Sequence, residues 1–566
     1  MTPVPEDAYG VKPAIRVGRF EPPAGETIEA DVVVIGGGSA GLAAANAAVA
    51  AGAEVLVLEA AAEPGGTTVK SAGGFMVTAN RFHREAGIVE DRATTLKLLA
   101  KVAFPDRYDP QDERLGLEQL DYDLITTFYD RSSEVIETLE GDGVLTLEVA
   151  FSMAGEPRGL PSYFTQFEEE QIYYGRTLGP TTPDGLTGYG RELIRQLLAG
   201  AERRGARVLT GQRVDGILHT QDGEVIGVTT EKNTFLARQA VIFGTGGFGQ
   251  NQELLKENMP GLVMGSCSVP TIQGDFLRLT EELDVDTAHL GEAWWGEVAV
   301  ELVLESTEVI SLLFYPYGDS MIYVDREGRR VVNEKAVYDQ RGPIHFERDE
   351  QGNDKNRLLF MIYDDAVARD SNDYFPARFP VPPGGHTAPY VISAPTLEEL
   401  EVEIRARLAG MADKVGGFDL ADGFVDGLRS SIATFNDYAE KGFDPEFRRG
   451  EEPIQVDASG PGRHGSHPNR TMYPIAPHGP YHCIITAAGI LDTKGGPRTD
   501  TNAQVLRKDG TPVPRLYAAG NCAASASGAG YWTGGNTIGL ALTYGYIAGQ
   551  QAVALEPRPS QVAVQA

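Results

Sequence analysis

The chain has 566 residues, 42% of them hydrophobic and 23% charged, with 80 acidic against 49 basic side chains and a formal net charge of −31 at pH 7. That length is too great for one core, so two or more domains of ordinary globular composition are expected, and so large an acidic excess excludes nucleic acid or an anionic membrane as a partner, since either would repel it. No stretch reaches the ~18 apolar residues of a membrane span, so no integral membrane contact is expected, and Cys267, Cys483 and Cys522, scattered without a C-x-x-C spacing, suggest neither a disulfide framework nor a zinc site and fit a reducing cytosol.

Residues 1–29 are rich in proline and lack a basic region followed by an apolar core, so they read as an extension lying on the body of the protein rather than a secretory leader. The first strong pattern is "DVVVIGGGSAGLAAANAAVAAGAEVLVLE" at 31–59. Its β-branched run Val32 to Ile35 predicts a buried parallel strand, the alanine-rich Ser39 to Ala50 a helix, and Val55 to Leu58 a second strand. Residues 85–185 are mixed, with a helical pattern over 124–140. Beyond 189 follow a helix, a strand, a hairpin turning at Asp222-Gly223 and the buried strand of "QAVIFGTGGFGQN". From about 293 to 492 the text is richer in aromatic residues, prolines and charged loops, and the tail returns to strand, turn and a closing helix. This organisation predicts a domain over 293–492 inserted into a first domain made of 1–292 and 493–566.

Gly36-Gly37-Gly38-Ser39-Ala40-Gly41 fits G-x-G-x-x-G. Gly36 permits a tight turn, Gly38 lets a pyrophosphate approach the backbone, Gly41 permits close packing of the helix, and the helix N-terminus at Ser39 and Ala40 faces the phosphates. Glu59 closes the second strand where a ribose-binding carboxylate belongs. The segments "EPGGTTVKSAGGF" (Gly66, Thr67, Thr68, Ser71, Gly73, Gly74), "FGTGGFGQN" (Gly246, Gly247), "RLYAAGN" (Gly520, Asn521) and "GGNTIG" (Thr537, Ile538) add further contacts for one long, extended ligand. Together these segments resemble FAD-dependent oxidoreductases of the fumarate reductase and ketosteroid dehydrogenase class. The resemblance implies a Rossmann-like FAD-binding α/β domain with an inserted α+β catalytic domain closing over the flavin. With Ser71 in the flavin-side loop and no histidine near it, non-covalent FAD is expected.

The segments "GRRVVNEKAVYDQRG", "FNDYAEKGFDPEFRRGEEP", "DTKGGPRTDTNAQVLRKDG" and "LYAAGNCAASASGAGYWTGGNTIG" sharpen this to a resemblance to 3-ketosteroid delta-1-dehydrogenases, in order and spacing from about residue 30 to 550. Fumarate reductases carry a proton-donating Arg where this chain has Tyr338, a substrate-binding Arg where it has Trp532, and substrate-binding histidines where it reads Leu491-Asp492. By the resemblance, the Tyr531 hydroxyl and the Gly535 N–H hold a ketone oxygen, Tyr338 takes the α-proton, Tyr163 in "LPSYFTQF" assists it, and flavin N5 receives the β-hydride. An unperturbed tyrosine has a pKa near 10, so Tyr338 needs a neighbouring tyrosine or a local field to act as base.

The expected substrate is an apolar cyclic ketone, foremost a 3-ketosteroid desaturated at its 1,2 bond, and the expected re-oxidant is an external acceptor such as a quinone. A smaller cyclic ketone, 4(5)-desaturation of a steroid, an ene-reductase of fumarate-reductase type and a flavin-binding sensor without turnover are the alternatives. Segments 85–185 and 300–320, which diverge from the family pattern, are expected to line the pocket. Tyr173 and Tyr174 are substitutes for Tyr163, Trp294 and Trp295 are expected to wall the substrate cavity or the domain boundary, Cys522 is expected near the flavin, and no metal is expected at His464 and His467.

Overall fold

The computed structural model describes residues 23–150, 152, 155–304, 306, 308–309, 314–371, 380–384, 386–459 and 467–560. Most of the proline-rich extension, and His464, lie outside them. Among the described residues the chain builds two large mixed sheets. In the first, the strands run in the order Gln504–Leu506, Pro512–Ala518, Thr234–Phe243, β1 (Thr27–Ile35), β2 (Val55–Leu58) and Arg207–Leu209. β1 pairs in parallel with β2 (Val33 opposite Leu56) and with Thr234–Phe243 (Val33 opposite Val241). Val32 to Ile35 and Val55 to Leu58 are buried on both faces, as a continuous β-branched and leucine run requires. The hairpin of Val214–His219 and Val225–Thr230 joins the same sheet through Thr234–Phe243, with Gly223 left-handed at its turn.

Between β1 and β2 runs helix α1 (Ser39–Ala50), buried on every side up to Val49 because its alanines let neighbours close in. Its closest neighbour is the C-terminal helix Asn536–Val553. A Cβ on Gly545 would lie 2.3 Å from the Ala40 carbonyl oxygen, and one on Gly549 2.3 Å from that of Ala44, so the two helices meet backbone to backbone.

The second sheet centres on the long strand Tyr481–Thr493. It pairs antiparallel with Leu358–Asp364 (Phe360 opposite Ile485), with Ala293–Ala299 (Glu297 opposite Ala488) and with Ile392–Ala394, and parallel with Gly265–Ser266. Met321–Val324 pairs onto the far side of Leu358–Asp364. Helices Leu397–Gly410 and Phe424–Lys441 cover one face through Leu400, Ile404, Leu428 and Phe435. At its far end the central strand delivers Asp492, whose carboxylate accepts the Gly247 and Gly249 N–H groups at 2.9 and 3.2 Å and the Asn521 amide at 3.0 Å, tying this strand to the first sheet's glycine loops. No described helix is long and apolar enough to cross a membrane.

Candidate active site

A cavity of about 1040 Å³ opens where the glycine loops of the first sheet meet the second sheet's aromatic residues. Small-molecule sites span about 300–1,000 Å³, so this cavity stands at the top of that range, as a long cofactor requires. One end is made of backbone. Gly36 adopts φ +102°, and a Cβ on it would meet the Gly244 carbonyl oxygen at 2.4 Å; a Cβ on Gly41 would stand 1.9 Å from the Gly36 oxygen. A Cβ on Gly38, by contrast, would stand in the cavity itself, its nearest neighbour 3.9 Å away. No side chain caps the N-terminus of α1, so its free N–H groups face the cavity and offer an anion the partners they lack. Glu59 accepts the Gly37 and Ala61 N–H groups at 2.8 and 2.7 Å, which presents its carboxylate at the end of β2, within reach of sugar hydroxyls. The residues present therefore fit a bound dinucleotide.

Gly36, Gly38, Ser39, Ala40, Glu59, Gly66, Thr67, Thr68, Ser71, Gly73, Gly74, Gly246, Gly520, Asn521, Thr537 and Ile538 all line the cavity, as the sequence suggests. Gly41 and Gly247 stand one layer back: the first packs the helix onto the turn, and the second spends its N–H on Asp492.

At the other end four phenols converge. Tyr163, Tyr315, Tyr338 and Tyr531 line the cavity, and all are buried, from 3% to 8% exposed. The Tyr163 hydroxyl lies 3.4 Å from that of Tyr338 and 3.3 Å from that of Tyr315. Tyr531 stacks on Tyr163 with ring centres 5.9 Å apart and meets Tyr338 edge-on at 5.5 Å. Gly534 makes room for this group, since a Cβ there would come within 3.2 Å of the Tyr163 hydroxyl. Gly535 is left-handed (φ +84°) and caps the C-terminal helix; a Cβ on it would collide with the Phe75 backbone at 2.6 Å. Its N–H, like the Thr537 hydroxyl, faces the Tyr531 hydroxyl, so a carbonyl oxygen placed there would meet two donors.

Tyr338 opens a one-turn helix, Tyr338–Arg341. The turn is pinned against strand Ala293–Ala299: Asp339 accepts the Trp295 N–H at 3.1 Å and Arg341 pairs with Glu297 at 2.6 Å. Just upstream, Glu334 is fully buried between Arg330 (2.9 Å) and Arg449 (3.0 Å); burial pushes its carboxyl up, but the two guanidiniums outweigh it and hold the group at about 2. Asn-Glu is thus the anchor from which the chain projects Tyr338 into the cavity four residues on. Lys335 donates to the Pro316 carbonyl, and Arg341 to that of Phe314 at 3.3 Å, so the same segment also holds the backbone on either side of Tyr315.

Burial dominates the acidity of these groups. It raises Tyr163 and Tyr338 well above the ordinary phenol value, with the neighbouring phenols adding to it. Tyr315 rises for the same reason, and so does Tyr531, although Tyr338, Thr537 and the Gly535 N–H pull Tyr531 back. All four are neutral phenols at physiological pH.

Other expectations are placed differently. Neither tryptophan lines the cavity, and strand Ala293–Ala299 is buried throughout. Trp294 stands behind Tyr531 at 5.3 Å, donates to Asn521 at 3.0 Å and carries Lys494 over its ring at 4.4 Å; Trp295 packs on Phe346. Lys494 also donates to the Ala529 and Gly530 carbonyls at 2.8 Å, which steadies the turn into Tyr531. Cys522 lies behind the lining, donating to the Phe243 and Ala519 carbonyls. Tyr173 is half-exposed and Tyr174 lies under Arg158, both away from the cavity. Tyr315 was not singled out by the sequence, although it and Phe314, with Leu160 and Tyr163, come from the divergent segments expected to line the pocket. His467 faces the Asn469 carbonyl, and among the described residues no group of acidic, His or Cys side chains is placed to hold a metal ion.

The sequence profile described as "FAD binding domain" matches residues 31–538. The chain is 29% identical over 531 residues to the 4-oxocyclohexanecarboxylate 2-dehydrogenase of Sinomonas cyclohexanicum, covering 86% of each protein. It is 30% identical over 391 residues to the 3-oxosteroid 1-dehydrogenase of Mycolicibacterium smegmatis, covering 66% of this chain and 63% of that one. Among solved structures, 3-ketosteroid delta1-dehydrogenase from Sterolibacterium denitrificans shares the fold with a TM-score of 0.77 at 21% identity, over 93% of this chain and 99% of that one.

Proposed function

The chain belongs to the FAD binding domain family and is an FAD-dependent oxidoreductase of the ketosteroid and oxocyclohexanecarboxylate dehydrogenase type; from that premise we propose that it removes two hydrogens from adjacent carbons of an apolar cyclic ketone, foremost at the 1,2 bond of a 3-ketosteroid. The carrying observation is the convergence of Tyr338, Tyr163 and Tyr531 with the Gly535 N–H at one end of a cavity whose other end is a glycine-built dinucleotide cradle. Bound FAD, without a covalent link, supplies the acceptor for the β-hydrogen and its bonding pair. Gly36, Gly38, Ser39 and Glu59 would hold its nucleotide half, and the loops at 66–74, 246 and 520–538 the rest.

The chain's own residues prepare the ketone. Tyr531 and Gly535 donate to its oxygen, which acidifies the α-carbon by drawing charge onto that oxygen. The Tyr338 hydroxyl oxygen takes the α-proton. The buried phenols and Phe314 keep water from this end of the cavity, which strengthens both effects. The division into 1–292 with 493–566 and an inserted 293–492 belongs to the same proposal; it puts Tyr338 in one part and Tyr531 in the other, with the ketone between them.

Dicarboxylate reduction is disfavoured. Trp532, which stands where fumarate reductases carry a cation, points away from the cavity and donates to the Leu99 carbonyl at 2.9 Å. Of the four cations lining the cavity among the described residues, Lys70, Arg195 and Arg213 are each already paired with a carboxylate at 2.6 to 2.7 Å, which leaves Arg191 alone against a substrate with two carboxylates. A monocyclic oxo acid is the second reading, supported by the match along 86% of both chains to the oxocyclohexanecarboxylate enzyme and by Arg191 in the cavity wall. The test is anaerobic mixing of the yellow holoenzyme with 3-ketosteroids, cyclohexanones, 4-oxocyclohexanecarboxylate and succinate. Bleaching by steroids first supports the preferred reading and bleaching by the oxo acid alone supports the second. No bleaching by any ketone overturns both and leaves a sensor.

A further inference from the structure

Four neutral, buried phenols pose a problem that the proposed reaction does not solve by itself. Tyr338 begins with its own proton in place, so accepting another would leave a buried cationic oxonium, which a dry site does not tolerate. Its hydroxyl proton must leave as the α-proton arrives. At rest the Tyr163 hydroxyl donates to that of Tyr338 across 3.4 Å, so both hydroxyls must turn for Tyr163 to receive it; Tyr163 in turn is 3.3 Å from Tyr315, a pair in which either hydroxyl can donate. The carboxylate whose charge bears on the Tyr315 phenol is Asp457, 3% exposed on the short helix Pro453–Ala458; its oxygen accepts the Ser152 hydroxyl, and it shares no direct hydrogen bond with Tyr315. The segment carrying Tyr338 also fixes the backbone around Tyr315, through Lys335 and Arg341.

We propose that Tyr315 is the outer member of a three-phenol relay, Tyr338 to Tyr163 to Tyr315, that carries the α-proton's charge out of the cavity to the Asp457 carboxylate. The steps balance. The α-carbon–hydrogen bond breaks and its proton bonds to the Tyr338 oxygen, while the bonding pair remains on carbon to form the new C=C. Tyr338 passes its former hydroxyl proton to Tyr163, Tyr163 passes its own to Tyr315, and Tyr315 passes its own to Asp457, so every phenol ends neutral and the carboxylate ends protonated. Tyr315 acts through Tyr163 and is a positioning residue rather than a catalytic one. The idea rests on Tyr338 being the base.

The test uses holoenzyme kept reduced with dithionite, in which the α-proton can exchange without net oxidation, together with the ketone that bleaches the oxidised holoenzyme fastest. In deuterium oxide, NMR should show deuterium entering the ketone's α-carbon in the wild type. Y315F and D457N should slow this entry at least tenfold, because the proton removed returns to carbon instead of leaving, while ketone binding, read on the same reduced holoenzyme from the ketone concentration that half-saturates exchange, and FAD content stay as in the wild type. Wild-type exchange in Y315F overturns the relay, as does a loss explained entirely by weaker ketone binding; wild-type exchange in D457N alone overturns Asp457 as its terminus. Y338F separates the two ideas: exchange surviving in Y338F defeats the base assignment itself, whereas exchange lost in Y338F but intact in Y315F defeats only the relay.

Discussion

The two ends of the cavity are built on opposite plans. The nucleotide end is made of main chain, supplied largely by one contiguous β1–α1–β2 unit in which the side chains have been taken away so that N–H groups can be approached. The phenol end is made of side chains from four distant segments, with hydroxyls separated by 152 and 175 residues of sequence meeting within 3.4 Å. Binding of a large invariant cofactor needs many weak, directional main-chain contacts, and chemistry on one C–H bond needs a few groups placed to a fraction of an ångström. Damage should therefore separate cleanly, with substitutions at one end costing occupancy and substitutions at the other costing rate.

The sharpest way to break that contrast is Tyr338→Phe. It should lower kcat by about 10³-fold, the usual scale for a lost proton-transfer group, with the absorbance ratio of protein to flavin unchanged; an FAD-depleted variant would mean that the two ends are not independent. Tyr531→Phe removes one of two donors to the ketone oxygen and should cost about 10²-fold in kcat, measured in steady state with KM for the ketone recorded alongside. Gly38→Ala probes the other end. Its Cβ would stand in the cavity, 3.9 Å from the nearest protein atom, so it displaces only the ligand, and FAD should bind about tenfold more weakly, by titration of the apoprotein, while kcat at saturating FAD stays near wild type.

The smallest effect is expected from Asp339, beside the base. Burial pushes its carboxyl up, Lys494 and the Trp295 N–H pull it back, and it settles at about 6. Because that lies above its unfolded value, the folded chain holds a proton between about pH 4 and 6 that the unfolded chain has released, so stability falls as pH rises through this window and is flat above it. Asp339→Asn keeps the oxygen that accepts the Trp295 N–H and should flatten the dependence of Tm on pH there, by a few degrees in a thermal melt series, without changing FAD content.

The contrast also explains what could be read in advance. The first end is legible because its chemistry is contiguous: alternation of strand, glycine turn and helix, and Glu59 at the close of β2, are all local properties. Tyr338, Tyr531 and Gly535 are reached from the sequence only through the resemblance that the motifs around them carry; the burial of Glu334 and the left-handed φ of Gly535 are what the structure adds there. Tyr315 carries no such mark. It follows an apolar run, "EVISLLFYPYGDS", whose period says only that the segment is covered, and its partners Tyr163 and Asp457 lie 152 and 142 residues away in the chain. Trp294 and Trp295, expected at the cavity wall or the domain boundary, do not line the cavity: a pair of large aromatic residues in a strand signals burial but not which layer they fill, and here Trp294 supports Tyr531.

The backbone contact of Gly545 and Gly549 with Ala40 and Ala44 sets a fixed span across the molecule. One of the joined helices starts at the phosphate-facing turn and the other starts at the N–H that greets the ketone, so their junction acts as a caliper whose jaws are the two binding ends. A bulky residue at Gly549, where a Cβ would already stand 2.3 Å from the Ala44 carbonyl oxygen, would be felt at both jaws together.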